Sequence, residues 1–134
     1  MSDVLVIQDR KVLVVASENR DQIISAIPSA KPVPGKTTLA LVSHNQDTCT
    51  ILRNLGISAP QPIQYYYNWP GRYKPFIHQK ETAAFLTTHK KCIVLNDMGT
   101  GKTEAALWAA DYLMSIGAIK RVLVLSPLST MIST

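Results

Sequence analysis

The stretch Leu95-Asn96-Asp97-Met98-Gly99-Thr100-Gly101-Lys102-Thr103-Glu104 constrains this chain more than any other. Ahead of it, Lys91-Cys92-Ile93-Val94-Leu95 is a short apolar run that fits a buried parallel strand. Behind it, Glu104 to Met114 is rich in alanine and other strong helix formers. Strand, glycine-bearing turn closing on Gly-Lys-Thr, then helix is the setting in which a phosphate-binding loop is physically credible. Gly99 and Gly101 let the backbone curl so that its N–H groups face a triphosphate. The helix starting near Lys102 adds the positive end of its dipole. In this reading Lys102 reaches the β- and γ-phosphates and is the catalytic candidate, and Thr103 ligates Mg²⁺. Met98, Gly99, Thr100, Gly101 and Glu104 complete the nucleotide contacts. The plain alternative is an ordinary strand-to-helix turn whose glycines serve geometry alone.

A second Gly-Lys-Thr is a decoy. Ala30-Lys31-Pro32-Val33-Pro34-Gly35-Lys36-Thr37 satisfies the nucleotide-loop pattern to the letter, whereas Asn96 stands where the other stretch should begin with glycine. Backbone chemistry reverses that ranking. Pro32 and Pro34 have no N–H to offer a phosphate. Thr37-Thr38-Leu39-Ala40-Leu41-Val42 favours a strand over a helix. Residues 30–37 are therefore expected to be a proline-rich turn.

The charge balance follows the loop. Residues 1–71 carry six basic and five acidic side chains, and residues 72–134 carry eight and four, within a net charge of +5. Such an excess suits polyanionic partners, both ATP and nucleic acid. No apolar run reaches the ~18 residues of a membrane span. The N-terminus lacks the basic start and small-residue cleavage site of a secretion signal. Cys49 and Cys92 are isolated and read as buried apolar residues of an intracellular protein.

Taken in order, Val4–Gln8 and Lys11–Ala16 flank Asp9-Arg10 and predict a hairpin. Ser17 can cap a helix through Ile27, with Ile23, Ile24 and Ile27 on its inner face. A strand over 38–42 follows, then a helix capped by Asn45 or Asp47 and stopped by Gly56. Residues 1–57 thus form a small β-β-α-β-α accessory unit. Residues 58–72 contain three prolines with Tyr65, Tyr66, Tyr67 and Trp69 and read as a linker. Its aromatics either pin the linker onto its neighbours or stack on bases. Residues 73–134 form the second unit: a helix over 75–89 with Ile77, Ala84, Phe85 and Leu86 on its apolar side, the loop and its helix, a stop at Gly117, and a second strand over 121–130. Strand, helix, strand at this spacing predicts a right-handed parallel βαβ crossover. The fold class expected is α/β: a small α+β accessory domain, then the first part of a nucleotide-binding domain.

Pro75-Phe76-Ile77-His78-Gln79-Lys80-Glu81-Thr82, then Asn96 to Thr103, then Val122-Leu123-Val124-Leu125-Ser126-Pro127-Leu128 together resemble the start of a superfamily-two helicase motor of the Swi/Snf type. The resemblance covers about residues 73 to 130. It implies a RecA-like domain, here incomplete, that binds ATP and Mg²⁺. It implies that Gln79 reads the adenine edge, with Tyr73 or Phe76 packing on the ring. It implies that Ser126 and Pro127 touch a nucleic-acid backbone. The front unit is similar to the accessory domains that precede some phage and bacterial helicases, the HARP-like and UvsW-like ones, which engage duplex or branched DNA.

A motor of this kind needs an acidic motif to hold Mg²⁺ and orient water. No Asp-Glu pair occurs in this sequence. The expectation is an ATP-binding N-terminal portion of a DNA-dependent helicase or translocase, inactive as a hydrolase by itself, with a further helicase lobe in the full-length chain. The alternatives are a DNA-binding module with a vestigial nucleotide loop, or another P-loop NTPase or kinase.

Overall fold

A computed structural model describes residues 3–131 of the chain. Aliphatic alternation builds the first half. Strands β1 (Asp3–Ile7), β2 (Val12–Ala16), β3 (Lys31–Pro32) and β4 (Leu39–Ser43) form one antiparallel sheet in the order β1-β2-β4-β3. The register sets Val6 beside Leu13 beside Val42, and Val4 beside Val15 beside Ala40, so these residues share one face. Helices α1 (Arg20–Ala26) and α2 (Gln46–Asn54) cover that face with Ile23, Cys49 and Leu52, and Ile27 at the end of α1 joins them. The other face carries the row Leu5, Val14, Leu41 and is partly open to water.

Local chemistry explains where these elements begin and end. The hairpin connection is longer than the two residues expected: a 3-10 turn over Gln8–Arg10 leads to Lys11 at φ 50°. Asp-Arg does not favour the paired positive φ of a two-residue turn, so the left-handed position falls on Lys11. Asn19, not Ser17, occupies the N-cap of α1, and the Ser17 Oγ accepts the Asn19 N–H at 3.2 Å. Asn45 caps α2 as expected, accepting the Thr48 N–H at 2.8 Å. The proline-rich decoy supplies the edge strand β3 and the turn into β4, and its Lys36 carbonyl accepts from Arg20.

The second half is helical. Helices α3 (Ile63–Tyr66), α4 (Ile77–Thr88), α5 (Lys102–Ser115) and α6 (Leu128–Met131) follow the sheet. A second core joins Ile63, Ala83, Ala84, Ala109 and Tyr112, separate from the core under the sheet. The buried stripe of α4 is Gln79, Ala83, Ala84 and Thr87, whereas Ile77 and Phe85 of the expected apolar side are exposed. Small side chains at the contact let α4 lie close against α5, and that closeness decides which face turns inward.

The parallel βαβ crossover is not formed. Residues 91–96 and 121–127 carry no regular secondary structure, and Leu128 to Thr130 begin α6 instead of ending a strand. Ile93, Leu95, Leu123 and Leu125 are 80%, 90%, 83% and 85% exposed. A strand exists only through its ladder, and among the described residues neither run joins the antiparallel sheet or forms a ladder with the other. The described fold is accordingly a small α+β one rather than α/β; residues 132–134 of the second unit lie outside the described residues. Cys92 is exposed for the same reason, while Cys49 is buried and its thiol is pushed up to about 12 by that burial. No helix among the described residues is long and apolar enough to cross a membrane.

The linker aromatics are engaged in packing. The Tyr66 hydroxyl and the His44 Nδ1 are 2.7 Å apart, and the His44 Nε2 lies 2.7 Å from the Pro60 carbonyl. A carbonyl only accepts, so Nε2 carries the proton and Nδ1 accepts from Tyr66. Tyr67 donates to Asp111 at 2.5 Å, and the Trp108 indole donates to the Pro70 carbonyl at 2.7 Å. Trp69 meets Trp108 edge to face. The linker is thus stitched to the sheet by His44 and to α5 by Asp111 and Trp108.

Two measurements check this account. Leu13→Ala should cost about 2–5 kcal/mol in urea unfolding, and Leu5→Ala on the open face less than about 1 kcal/mol. Burial lowers the pKa of His44, with the hydrogen bond to Pro60 opposing that shift. The unfolded chain then binds this proton more readily. The stability contributed by neutral His44 is present above pH ~6.5 and is lost as pH falls below it, by at most about 1.4 kcal/mol per pH unit. Urea midpoints between pH 7.5 and 5.5 should show this loss, and His44→Asn should reduce it.

Candidate nucleotide-binding site

The site forms where the loop over residues 96–101 meets the first turns of α4 and α5. Helix α5 starts at Lys102 as expected, with Gly101 at its N-cap. Gly99 and Gly101 both have φ 73°, the left-handed region that glycine adopts without a Cβ penalty. The Thr100 hydroxyl donates to the Asp97 carbonyl at 2.7 Å and tightens the turn. The Lys102 ammonium donates to the Asn96 carbonyl and, at 3.1 Å, to the Asp97 carbonyl. The cation therefore lies along the loop that begins its own helix.

One helix holds this loop in shape. The Gln79 Oε1 accepts the Phe76 N–H at 2.9 Å, which satisfies an orphan amide at the start of α4. Its Nε2 donates to the Gly101 carbonyl at 3.3 Å and to the Glu104 carboxylate at 3.2 Å. The His78 Nε2 lies 2.9 Å from the Thr100 carbonyl and carries the proton of that bond. Asn96 donates to the Thr82 hydroxyl at 3.0 Å. To read an adenine edge, Gln79 would trade partners it already holds within the chain.

A cleft of about 1060 Å³ opens here, bounded by Tyr73, Phe76 and Gln79 on one side and residues 98–104 on the other. Lys74 and Lys102 give it positive charge. Tyr73 and Phe76 are both exposed at its wall, and Phe76 stacks on His78. Every residue expected to contact nucleotide is gathered at this cleft: Gln79, Met98, Gly99, Thr100, Gly101, Lys102, Thr103 and Glu104. Ser126 and Pro127, expected at nucleic acid, are exposed in the run ahead of α6 and do not line it. Among the described residues, no group of three or more His, Cys, Asp or Glu side chains could hold a metal ion. Thr103 offers a single exposed hydroxyl, so Mg²⁺ fits only in company with phosphate oxygens.

His78, Thr82 and Asn96 hold the loop without having been assigned to the site from sequence. The available signal was spacing: His78, Gln79 and Thr82 fall on one face of a helix. Compared with known protein families, curated proteins and solved structures, the chain matches none.

The two loop glycines separate backbone strain from contact. A Cβ on Gly99 would meet open space, whereas one on Gly101 would collide with the Gln79 Nε2. Gly99→Ala should cost about 1–2 kcal/mol, the left-handed penalty alone. Gly101→Ala should cost about 1–2 kcal/mol more, because Gln79 is displaced from its buried partners. Equal losses in urea unfolding would sink this assignment.

Proposed function

We propose that this chain binds ATP with Mg²⁺ at the cleft between α4 and the 98–104 loop, as the nucleotide-binding N-terminal portion of a DNA-dependent helicase or translocase. The observation that carries the reading is the Lys102 ammonium at the N-terminus of α5, behind a loop with two left-handed glycines. A glycine-bearing loop, the N-terminal end of a helix dipole and a cation lie within one short stretch there, and these are the groups a triphosphate needs. On binding, the phosphates would take the ammonium from the Asn96 and Asp97 carbonyls. Thr103 would share Mg²⁺ with the phosphate oxygens, and the ion would neutralise charge on the phosphoryl group. Gln79 would turn its amide to the adenine edge, and Tyr73 or Phe76 would pack on the ring.

The two exposed apolar runs support the RecA-like part of the proposal. Residues 93–95 and 122–125 have the composition of buried parallel strands and need sheet neighbours beyond those among the described residues. Ser126 and Pro127 follow the second run, where they would meet a nucleic-acid backbone. The net charge of +5 suits a polyanionic partner such as nucleic acid, through contacts that weaken with salt. A second reading, a DNA-binding module with a vestigial loop, is favoured by one feature: Lys102 is already satisfied by its own loop.

Calorimetric titration with Mg–ATP tests the reading. Lys102→Ala should lose about 1.5–3 kcal/mol of affinity, the scale of a charge-assisted hydrogen bond. Unchanged affinity would remove the loop from consideration. Gln79→Ala should weaken ATP binding more than GTP binding, and equal losses would leave Gln79 as a loop support only. DNA binding that ignores ATP would favour the second reading.

A further inference from the structure

Helix α4 is held at both ends by different parts of the chain. Its first turns carry Gln79, His78 and Thr82, which bond to Gly101, Glu104, Thr100 and Asn96. Of its last carbonyls, that of Phe85 meets the His89 N–H and lies 3.0 Å from the His89 Nδ1, whereas those of Thr87 and Thr88 are orphans of the kind every helix end leaves. Two side chains of α2 meet them instead. The Gln46 Nε2 donates to the Thr87 carbonyl at 2.8 Å, and the Arg53 Nη1 donates to the Thr88 carbonyl at 2.8 Å. Among the described residues the Gln46 Oε1 has no hydrogen-bond partner, so the bond to Thr87 is the one that side chain shows. The helix between the two ends is about 18 Å long and moves as a unit.

We infer that Gln46 and Arg53, outside the cleft and on the far side of α4, are positioning residues that set the conformation and nucleotide affinity of the 96–104 loop. They fix where α4 lies, and α4 sets Gln79 against Gly101, where the Gln79 amide fills the space that a Cβ would take. The affinity part of this inference rests on the nucleotide reading above; the conformational part does not. By reciprocity, a ligand of the front unit that draws Arg53 off Thr88 weakens nucleotide binding, and nucleotide weakens that ligand by the same factor.

The test uses the 134-residue chain and two readouts. The first is Mg–ATP affinity by calorimetry. The second is hydrogen exchange, without nucleotide, of the Ala105 amide, which bonds to the Gly101 carbonyl at 3.1 Å. Gln46→Ala/Arg53→Ala should weaken Mg–ATP binding about fivefold and speed Ala105 exchange by a similar factor. The amides of β2 and β4 should exchange as before. Arg53→Lys, which keeps a cation at the Thr88 carbonyl, should recover most of the arginine's share. Wild-type exchange at Ala105 and wild-type affinity, with β2 and β4 still protected, would overturn the inference. If the double variant loses that protection, Arg53→Ala decides, because Arg53 is exposed and its removal leaves the core intact. Failure of the wild-type chain to bind Mg–ATP would defeat the nucleotide reading, while Ala105 exchange would still decide the positioning role.

Discussion

The close packing of α4 on α5 is the contact on which the rest of the second half depends. Ala83 and Ala84 on one helix and Ala109 on the other leave little between the two axes. Only at that separation does a glutamine in the first turn of α4 reach the carbonyl that begins α5. Gln79 then does what a larger apolar residue could not. It satisfies the Phe76 amide, the Gly101 carbonyl and the Glu104 carboxylate while nearly sealed from water. A buried amide with unmet partners would cost about 1–3 kcal/mol, so the arrangement is stable only as a complete set.

The two halves use opposite strategies for burial. The front unit buries large aliphatic side chains between one face of a sheet and two helices, and leaves the other face half open. The second unit buries small residues and aromatic edges between helices, and leaves its most apolar segments in water. The linker joins them through polar atoms on aromatic rings. His44 holds Tyr66 and Pro60, and Asp111 holds Tyr67, so hydrogen bonds accompany the buried Pro62 and Ile63 at the junction. That is a junction whose strength depends on pH and on single side chains.

The conformation of the 96–104 loop was legible in the sequence because its geometry is local. Left-handed glycines, a helix start at Lys102 and a polar helix face upstream can each be read from a few neighbouring residues. The decoy was legible for the same reason, since Pro32 and Pro34 lack the amides a phosphate needs wherever the chain places them. The front strands were also visible, as the β-rich runs Val4–Gln8 and Lys11–Ala16, but not which of their faces turns inward. Nor did the runs give the hairpin connection, where a left-handed Lys11 replaced a two-residue turn. Of the inward face of α4, the apolar pattern gave Ala84 but not Ala83, and Ile77 and Phe85 lie exposed instead.

By itself the sequence determined the elements whose stabilising contacts lie within a few residues: the helix start after Gly101, the Asn45 cap, the turn at Pro34-Gly35 and strands β1 and β2, but not the short edge strand β3 at Lys31–Pro32. Tertiary structure decided everything that needs a distant partner. The runs at 93–95 and 122–125 have strand composition, yet composition alone supplies no ladder, and without neighbouring strands they lie exposed. The bonds from Gln46 and Arg53 to the end of α4 join residues 41 and 35 positions apart. No local pattern encodes such a contact, because it exists only once the sheet, the linker and two helices have each taken their places.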